Sequence, residues 1–311
     1  MIRQTRRDMI AGLVATIPAL SSASATDFTG MVKVPGGRVW WMKAGGGGKT
    51  PLLTLHGGPG AAHNYLLPLR ALADERPVIF YDQLGCGNAE SPADEKIYTV
   101  QRSVDEVDAL RRALGLKEII LYGHSWGSML AIEYMCQGRG EGVRQLVVGG
   151  ALASVSQAMA GQQRLIDKMP NGQGARLHAL EKSGKTGGKE YNDLVQVFYD
   201  LYVCRAKPTP PDAAASLEIA GKSIAYRVMN GPNEFTITGV IKDWDRRKDL
   251  GRIHAPTYIT TGEFDEVTLD CHQTIQRGVT GSRLQIFPGC SHMTMNEQPA
   301  PYIAALRKNL I

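Results

Sequence analysis

The sequence predicts an α/β fold, in which a mostly parallel sheet is covered by helices on both faces and one long helical segment is inserted. Two observations carry this prediction. Short apolar runs of strand length alternate with helical patterns through most of the chain, and the strand pattern disappears between about residues 151 and 248. With 311 residues, 43% of them hydrophobic, the chain is long enough to bury a large core.

The alternating pattern fixes the expected order of elements. The predicted strands are Leu52–His56, Pro77–Asp82, Glu118–Tyr122, Val143–Gly150, Pro256–Gly262 and Arg283–Gly289, and the predicted helices between them are Val100–Leu114 and Ser125–Gln137. We expect residues 26–150 and 249–311 to form the core and residues 151–248 to form a helical cap. The glycine-rich stretch Ala44–Thr50 is predicted to be a hairpin turn. In such sheets the binding site lies beyond the carboxyl ends of the strands.

The first 25 residues have the layout of an export signal. A basic start with Arg6 and Arg7 precedes an apolar stretch from Met9 to Leu20 and the small residues ASA, which predicts cleavage before Thr26. The arginine pair is typical of a twin-arginine signal. The apolar stretch is too short to span a bilayer, so we expect an exported, periplasmic protein without a stable membrane anchor.

The charge and cysteine content argue against a nucleic-acid-binding protein and against a metalloprotein. The formal net charge is +5, but the basic residues are scattered and form no basic patch with aromatics, so no nucleic-acid partner is expected. The cysteines lack metal-site spacing and are expected to be free thiols, and no metal or organic cofactor is called for. Cys86 follows a predicted strand and is expected near the site. The five cysteines are Cys86, Cys136, Cys204, Cys271 and Cys290.

The stretch LYGHSWGSML contains the candidate nucleophile. It places Ser125 between Gly123 and Gly127, directly after the predicted strand Glu118–Tyr122 and before a helical pattern. Strand, sharp turn and helix is the context of a nucleophilic serine in an α/β enzyme. Glycines suit this turn because side chains have no room where the strand and helix converge. Glycine and serine also favour ordinary turns, so the rest of the chain must support this assignment.

A serine nucleophile needs a base and an orienting carboxylate, and both follow predicted strands. The segment GEFDEV places Asp265 on the loop after one strand, and GCSHM places His292 after the next. The chain order Ser, Asp, His is the one expected for this arrangement. The competing residues are Glu263 and Glu266 for the carboxylate, and His56, His63 and His124 for the base.

An acyl-transfer site also needs donors for the developing oxyanion. The segment LHGGPG ends the predicted strand Leu52–His56 with glycines whose N–H groups can approach a ligand closely. We expect one donor to be the N–H of Gly58, or that of Gly57, and the other to be the N–H of Trp126. His56 is expected to brace this loop.

Together, these segments resemble a known family. LHGGPG, YDQLGCGNAES, GHSWGSMLA, MNGPNEFTITG, GEFDEV and GCSHM are similar to the proline iminopeptidases of the α/β-hydrolase superfamily, a group that includes tricorn-interacting aminopeptidases and bacterial L-amino acid amidases. The resemblance covers about residues 30–310. It implies an α/β-hydrolase fold with a helical cap, and Ser125, Asp265 and His292 as nucleophile, orienting acid and base.

The resemblance also implies that acidic cap residues bind the free α-ammonium group of the substrate. On the matching segment MNGPNEF this residue is Glu234. The cap segment YVCRAKPTPPD departs from the family pattern and lacks some of its acidic character, so a second amine-binding acid is unassigned. Glu218 and Asp212 are candidates. This departure weakens the expectation of a preference for proline more than it weakens the expectation of catalysis.

The leading functional hypothesis is a serine hydrolase that releases an N-terminal residue, proline preferred, from small peptides, or hydrolyses amino acid amides. An esterase or other detoxifying hydrolase on the same fold is the alternative. A non-catalytic binding protein is a third hypothesis, although a receptor has no use for an oxyanion hole. The sequence leaves the oligomeric state open.

Overall fold

The computed structural model describes residues 27–311, and the predicted export signal lies outside this range. Within it, eight strands form one sheet in the order β1-β2-β4-β3-β5-β6-β7-β8. Strands β3 to β8 run parallel to one another, whereas β1 and β2 join the edge as antiparallel strands. The strands are β1 (Phe28–Val34), β2 (Gly37–Ala44), β3 (Leu52–Leu55), β4 (Val78–Asp82), β5 (Ile119–His124), β6 (Val143–Gly149), β7 (Thr257–Gly262) and β8 (Arg283–Phe287).

Helices cover both faces of this sheet. Along β5, Ile119 and Leu121 pack into one apolar cluster and Ile120 and Tyr122 into another, as expected of a strand that is buried on both faces. The α-helices of the described residues are α1 (Val100–Ala113), α2 (Trp126–Cys136), α3 (Val155–Ile166), α4 (Gln173–Lys182), α5 (Lys189–Tyr202), α6 (Pro211–Lys222), α7 (Ile224–Met229), α8 (Leu269–Gly278), α9 (Thr294–Glu297) and α10 (Pro299–Asn309). The predicted α/β fold is therefore confirmed.

Helix α2 lies at the centre of the molecule. All eleven of its residues are buried, so it is enclosed on every side by other elements. The first turn of α2 packs directly against the end of β5, and this packing fixes the position of Ser125, the residue between them.

Helices α3 to α7 come between β6 and β7 in the chain. Three of them, α3, α4 and α5, share a separate apolar cluster, in which the ring of Phe198 lies 4.9 Å from that of Phe235. The buried residues of α6 and α7 pack instead into the two clusters that flank the sheet. The precise division into a core of residues 26–150 and 249–311 and a cap of residues 151–248 remains a prediction.

One predicted turn is wrong. The stretch Ala44–Thr50 does not close a hairpin, because β2 and β3, which it connects, are separated by β4 in the sheet. The hairpin lies instead between β1 and β2, where Gly36 adopts a φ of 94°. These two strands had no counterpart among the predicted elements.

Candidate active site

Ser125 lies in a strained turn between β5 and α2. Its φ of 56° and ψ of −125° are unusual for a residue with a side chain and cost about 1–3 kcal/mol. Close packing enforces the turn: a Cβ on Gly123 would lie 2.2 Å from the oxygen of Gly127, and a Cβ on Gly127 would lie 2.0 Å from the oxygen of Leu55. The Ser125 N–H donates to the oxygen of Gly149 at 2.9 Å. The turn places Ser125 in the wall of two cavities beyond the carboxyl end of β5, where a nucleophile is accessible to substrate.

Asp265 and His292 form a buried pair on the loops after β7 and β8. The Nδ1 of His292 donates to Oδ1 of Asp265 at 2.7 Å. Burial by itself raises the pKa of Asp265, but the charge and hydrogen bond of His292 outweigh it and hold that pKa below its usual value. Conversely, burial lowers the pKa of His292, and Asp265 is the first of three carboxylates that raise it to about 9. The structure thus brings the predicted base and orienting acid together.

Glu266 faces the opposite edge of the same imidazole. Its Oε1 lies 3.6 Å from Nε2 of His292, and its side chain is buried. Among the described residues, no hydrogen bond yet joins the Oγ of Ser125 to this Nε2. Such contacts are commonly long in unliganded enzymes and tighten when the substrate binds. The other competitor, Glu263, is exposed and accepts the N–H of Gly289 at 2.9 Å.

The competing histidines have other partners. His56 is held between the oxygen of Gly57 at 2.9 Å and the N–H of Gln83 at 3.0 Å, and in this way it braces the loop after β3. His63 pairs with Asp82 at 2.8 Å. His124 is buried, and burial lowers its pKa to about 3. His292 is therefore the histidine whose contacts suit a base.

Two free N–H groups lie beside the serine. The N–H of Gly57 donates to the hydroxyl of Tyr65 at 2.7 Å and is already used. The N–H groups of Gly58 and Trp126, by contrast, have no acceptor within residues 27–311. Both residues line a cavity with Ser125, and Gly58 has a φ of 116° that favours glycine. Of the predicted oxyanion donors, these two remain available.

Two small adjoining cavities meet at Ser125. Their walls are mostly apolar, but Glu234 and Glu266 line both. Neither carboxylate forms an ion pair with a Lys or Arg of the described chain. Glu234 accepts the hydroxyl proton of Tyr226 at 2.7 Å.

The environment of these two glutamates disfavours their charge. Burial raises the pKa of Glu234, and burial followed by the charge of Glu234 raises that of Glu266. A cation placed between them would relieve both effects. The cavity therefore has the electrostatics of a site for a small cationic group.

The second carboxylate in these cavities is Glu266, and neither Glu218 nor Asp212 lines them. Glu218 and Asp212 are exposed on α6, and Glu218 pairs with Lys222 at 2.5 Å. Glu266 takes the place beside Glu234. Its position directly after Asp265 is the available signal in the sequence, where Glu266 also competes for the role of Asp265.

The remaining candidate features lie outside the cavities. Cys86 lines neither of them, and all five cysteines are free and buried. In the described part of the chain, no cluster of three or more His, Cys, Asp or Glu residues could hold a metal ion. Nor does any helix of residues 27–311 have the length and apolar character needed to cross a membrane.

Comparison with known proteins agrees with this geometry. A family model described as alpha/beta hydrolase fold matches residues 50–299. The chain is 40% identical to the proline iminopeptidase of Saccharolobus solfataricus, over 84% of this chain and 85% of that one. It is 42% identical to the proline iminopeptidase of Thermoplasma volcanium, over 82% and 86%.

A solved structure extends the comparison to three dimensions. The crystal structure of the proline iminopeptidase of Mycobacterium smegmatis is 33% identical, with a TM-score of 0.85 over 90% of this chain and 97% of that one. Sequence and fold agree over nearly the whole length of both proteins, and the chain belongs to the proline iminopeptidase family of α/β hydrolases.

Proposed function

We propose that this protein is a serine aminopeptidase that releases N-terminal proline from short peptides. One observation carries the proposal: a Ser–His–Asp set opens into a cavity that also contains two carboxylates without a Lys or Arg partner. The first feature supplies acyl-transfer chemistry, and the second selects a free amino terminus. The names of the relatives support the same activity.

The chemical steps follow from the positions of the side chains. Ser125 attacks the carbonyl carbon of the first residue while Nε2 of His292 takes the hydroxyl proton. Asp265 keeps the other imidazole proton on Nδ1 and stabilises the imidazolium that forms. The N–H groups of Gly58 and Trp126 stabilise the oxyanion. His292 then protonates the leaving amine and later activates the water that hydrolyses the acyl-enzyme.

Glu234 and Glu266 explain why a free amine is required. An α-amine has an ordinary pKa of about 7.7–8.0, so a large fraction is protonated near neutral pH. The ammonium group enters between the two carboxylates. Its positive charge stabilises their ionised forms, which are otherwise buried without a cationic partner. An N-blocked peptide leaves them unpaired, which rejects it strongly.

A small set of chromogenic substrates tests the proposal. Prolyl p-nitroanilide should be hydrolysed, N-acetylprolyl p-nitroanilide should react at least about 100-fold more slowly, and Ser125→Ala should abolish both reactions. In Glu234→Gln, activity on prolyl p-nitroanilide should fall much further than activity on p-nitrophenyl acetate, which has no amine. Hydrolysis of the ester alone would contradict the aminopeptidase assignment and favour an esterase.

We also propose that the protein acts in the periplasm after twin-arginine export. The support is the sequence pattern of residues 1–25, with Arg6 and Arg7 ahead of the apolar stretch. In bacteria that express the full chain, the periplasmic fraction should contain a protein that begins at Thr26. Replacing both arginines by lysine should retain the uncleaved chain in the cytoplasm. Equal export of that variant would refute this route.

A further inference from the structure

A buried glutamine also reaches the cavity that holds the two glutamates. Gln162 lies on α3, and only 3% of its surface is exposed. It lines the cavity together with Ser125, Glu234 and Glu266. Residues 27–311 provide no hydrogen-bond donor for its Oε1.

Glu266 carries a second unsatisfied acceptor in the same place. Its Oε2 is buried and accepts no hydrogen bond from the described residues. An interaction with the side chain of Gln162 opposes the raised pKa of Glu266, as expected if the amide N–H group points to that carboxylate. The amide oxygen of Gln162 is then left over. Two buried acceptors without donors are costly, at about 1–3 kcal/mol each, unless a ligand supplies the donors.

We propose that Gln162 is a specificity-determining residue that accepts one N–H of a primary α-ammonium group. This inference rests on the proposed aminopeptidase function and extends its substrate range. The nitrogen of an N-terminal proline carries two N–H groups when protonated, and the two carboxylates satisfy both. A primary α-ammonium group carries three.

The third N–H decides which substrates fit. The three N–H bonds point in three different directions, so the third needs an acceptor on a side of the ammonium group that the two carboxylates do not cover. Without one it would remain unpaired and weaken binding of every residue except proline. The oxygen of Gln162 removes this penalty. The protein therefore accepts N-terminal residues such as alanine as well as proline, and the apolar wall of the same cavity, including Leu152, Ile237 and Ile241, receives their side chains.

Kinetics of Gln162→Met provide the first test. The variant keeps the length of the side chain but removes the whole amide, so loss of its contact with Glu266 affects both substrates, whereas loss of the oxygen affects only the primary amine. The ratio of kcat/KM for alanyl p-nitroanilide to that for prolyl p-nitroanilide should therefore fall about 10- to 150-fold, the equivalent of one hydrogen bond to a charged group. Gln163→Met is the matched control on the same helix, because Gln163 lines neither cavity, and it should change neither value. Equal losses on the two substrates in Gln162→Met would overturn the proposal.

Two further measurements complement these kinetics, the first independent of turnover and the second independent of the variant. Isothermal titration calorimetry with L-alaninol, a primary amine, and L-prolinol, a secondary amine, measures recognition even if no anilide is cleaved. Gln162→Met should weaken binding of L-alaninol at least tenfold more than binding of L-prolinol, and failure to bind L-alaninol in the wild type would overturn the proposal. The wild type should also cleave the alanyl substrate within about tenfold of the prolyl one. A preference for proline above 100-fold would contradict the inference while leaving the aminopeptidase function intact.

Discussion

Replacing Asp265 by asparagine should be milder here than in many serine hydrolases. Two donors meet at Oδ1 of Asp265: Nδ1 of His292 at 2.7 Å and the main-chain N–H of Val267 at 2.8 Å. The hydroxyl of Thr261 donates to Oδ2 at 3.1 Å. In Asp265→Asn the amide oxygen must stay at the Oδ1 position, because the N–H of Val267 is a fixed donor. The new NH₂ group then faces Thr261, whose hydroxyl can accept from it and donate to the oxygen of Gly262, 3.2 Å away.

This arrangement preserves the proton on Nδ1 of His292, so the base keeps the correct tautomer. Only the charge of the acceptor is lost, and the difference between a charged and a neutral hydrogen bond is about 1–2 kcal/mol. The expected loss in kcat/KM for prolyl p-nitroanilide is therefore roughly 5- to 30-fold. An amide turned the other way would invert the tautomer, at a cost of about ten-thousand-fold.

The assay is kcat/KM for Asp265→Asn and Asp265→Ala across pH 6–10. The alanine variant removes the acceptor altogether and should lose about 1000-fold or more. Because Asp265 is the strongest influence that raises the pKa of His292, the acid limb of the profile should also move to lower pH in the asparagine variant. A loss as large as that of Asp265→Ala, or one near ten-thousand-fold, would refute the reasoning about Val267 and Thr261.

Two other predictions concern the buried charges. Glu266 helps to raise the pKa of His292, and His292 must be neutral to act as a base, so Glu266→Gln should shift the acid limb for p-nitrophenyl acetate to lower pH. At pH 7 this variant should gain ester activity and lose activity on prolyl p-nitroanilide, and parallel losses on both would contradict the account. Arg246 binds the buried Glu133 through two contacts of 2.6 Å, so Arg246→Met should lower the free energy of unfolding in urea by about 3 kcal/mol. Arg247→Met, which breaks an exposed pair, should cost less than about 1 kcal/mol, and similar losses for the two variants would refute this difference.

The strand ends were the most informative feature of the sequence. Ser125, Asp265 and His292 each follow a predicted strand, and parallel strands bring their carboxyl ends to one edge of the sheet. The structure places Asp265 and His292 in contact at that edge. Their proximity could be predicted because it depends on topology rather than on the detailed direction of side chains.

Side-chain direction is what the sequence could not supply. Glu266 follows Asp265 immediately, and only the folded loop shows that both point to opposite edges of one imidazole. Glu218 and Asp212 were plausible amine-binding acids, but α6 presents both to solvent. Nothing in the sequence distinguishes Gln162 from the adjacent Gln163, because the burial of Gln162 depends on how the helices after β6 pack over the sheet.

The antiparallel edge was missed for a related reason. In β2 the adjacent Trp40 and Trp41 point to opposite faces and are only partly buried, which blurs the alternation that marks a strand. Glycine interrupts the pattern in β1 at Gly30. The glycine-rich stretch Ala44–Thr50 offered a stronger turn signal than the short Pro35–Gly36 turn, although it is a connection between strands that are not adjacent.

The mechanism depends on Ser125 being a nucleophile that His292 activates. Incubation with a fluorophosphonate, followed by peptide mass spectrometry, tests this role. We expect a single adduct on the peptide that contains Ser125, no adduct in Ser125→Ala, and much slower labelling in His292→Ala. An unlabelled wild-type protein, or an adduct on another residue, would exclude Ser125 as the nucleophile.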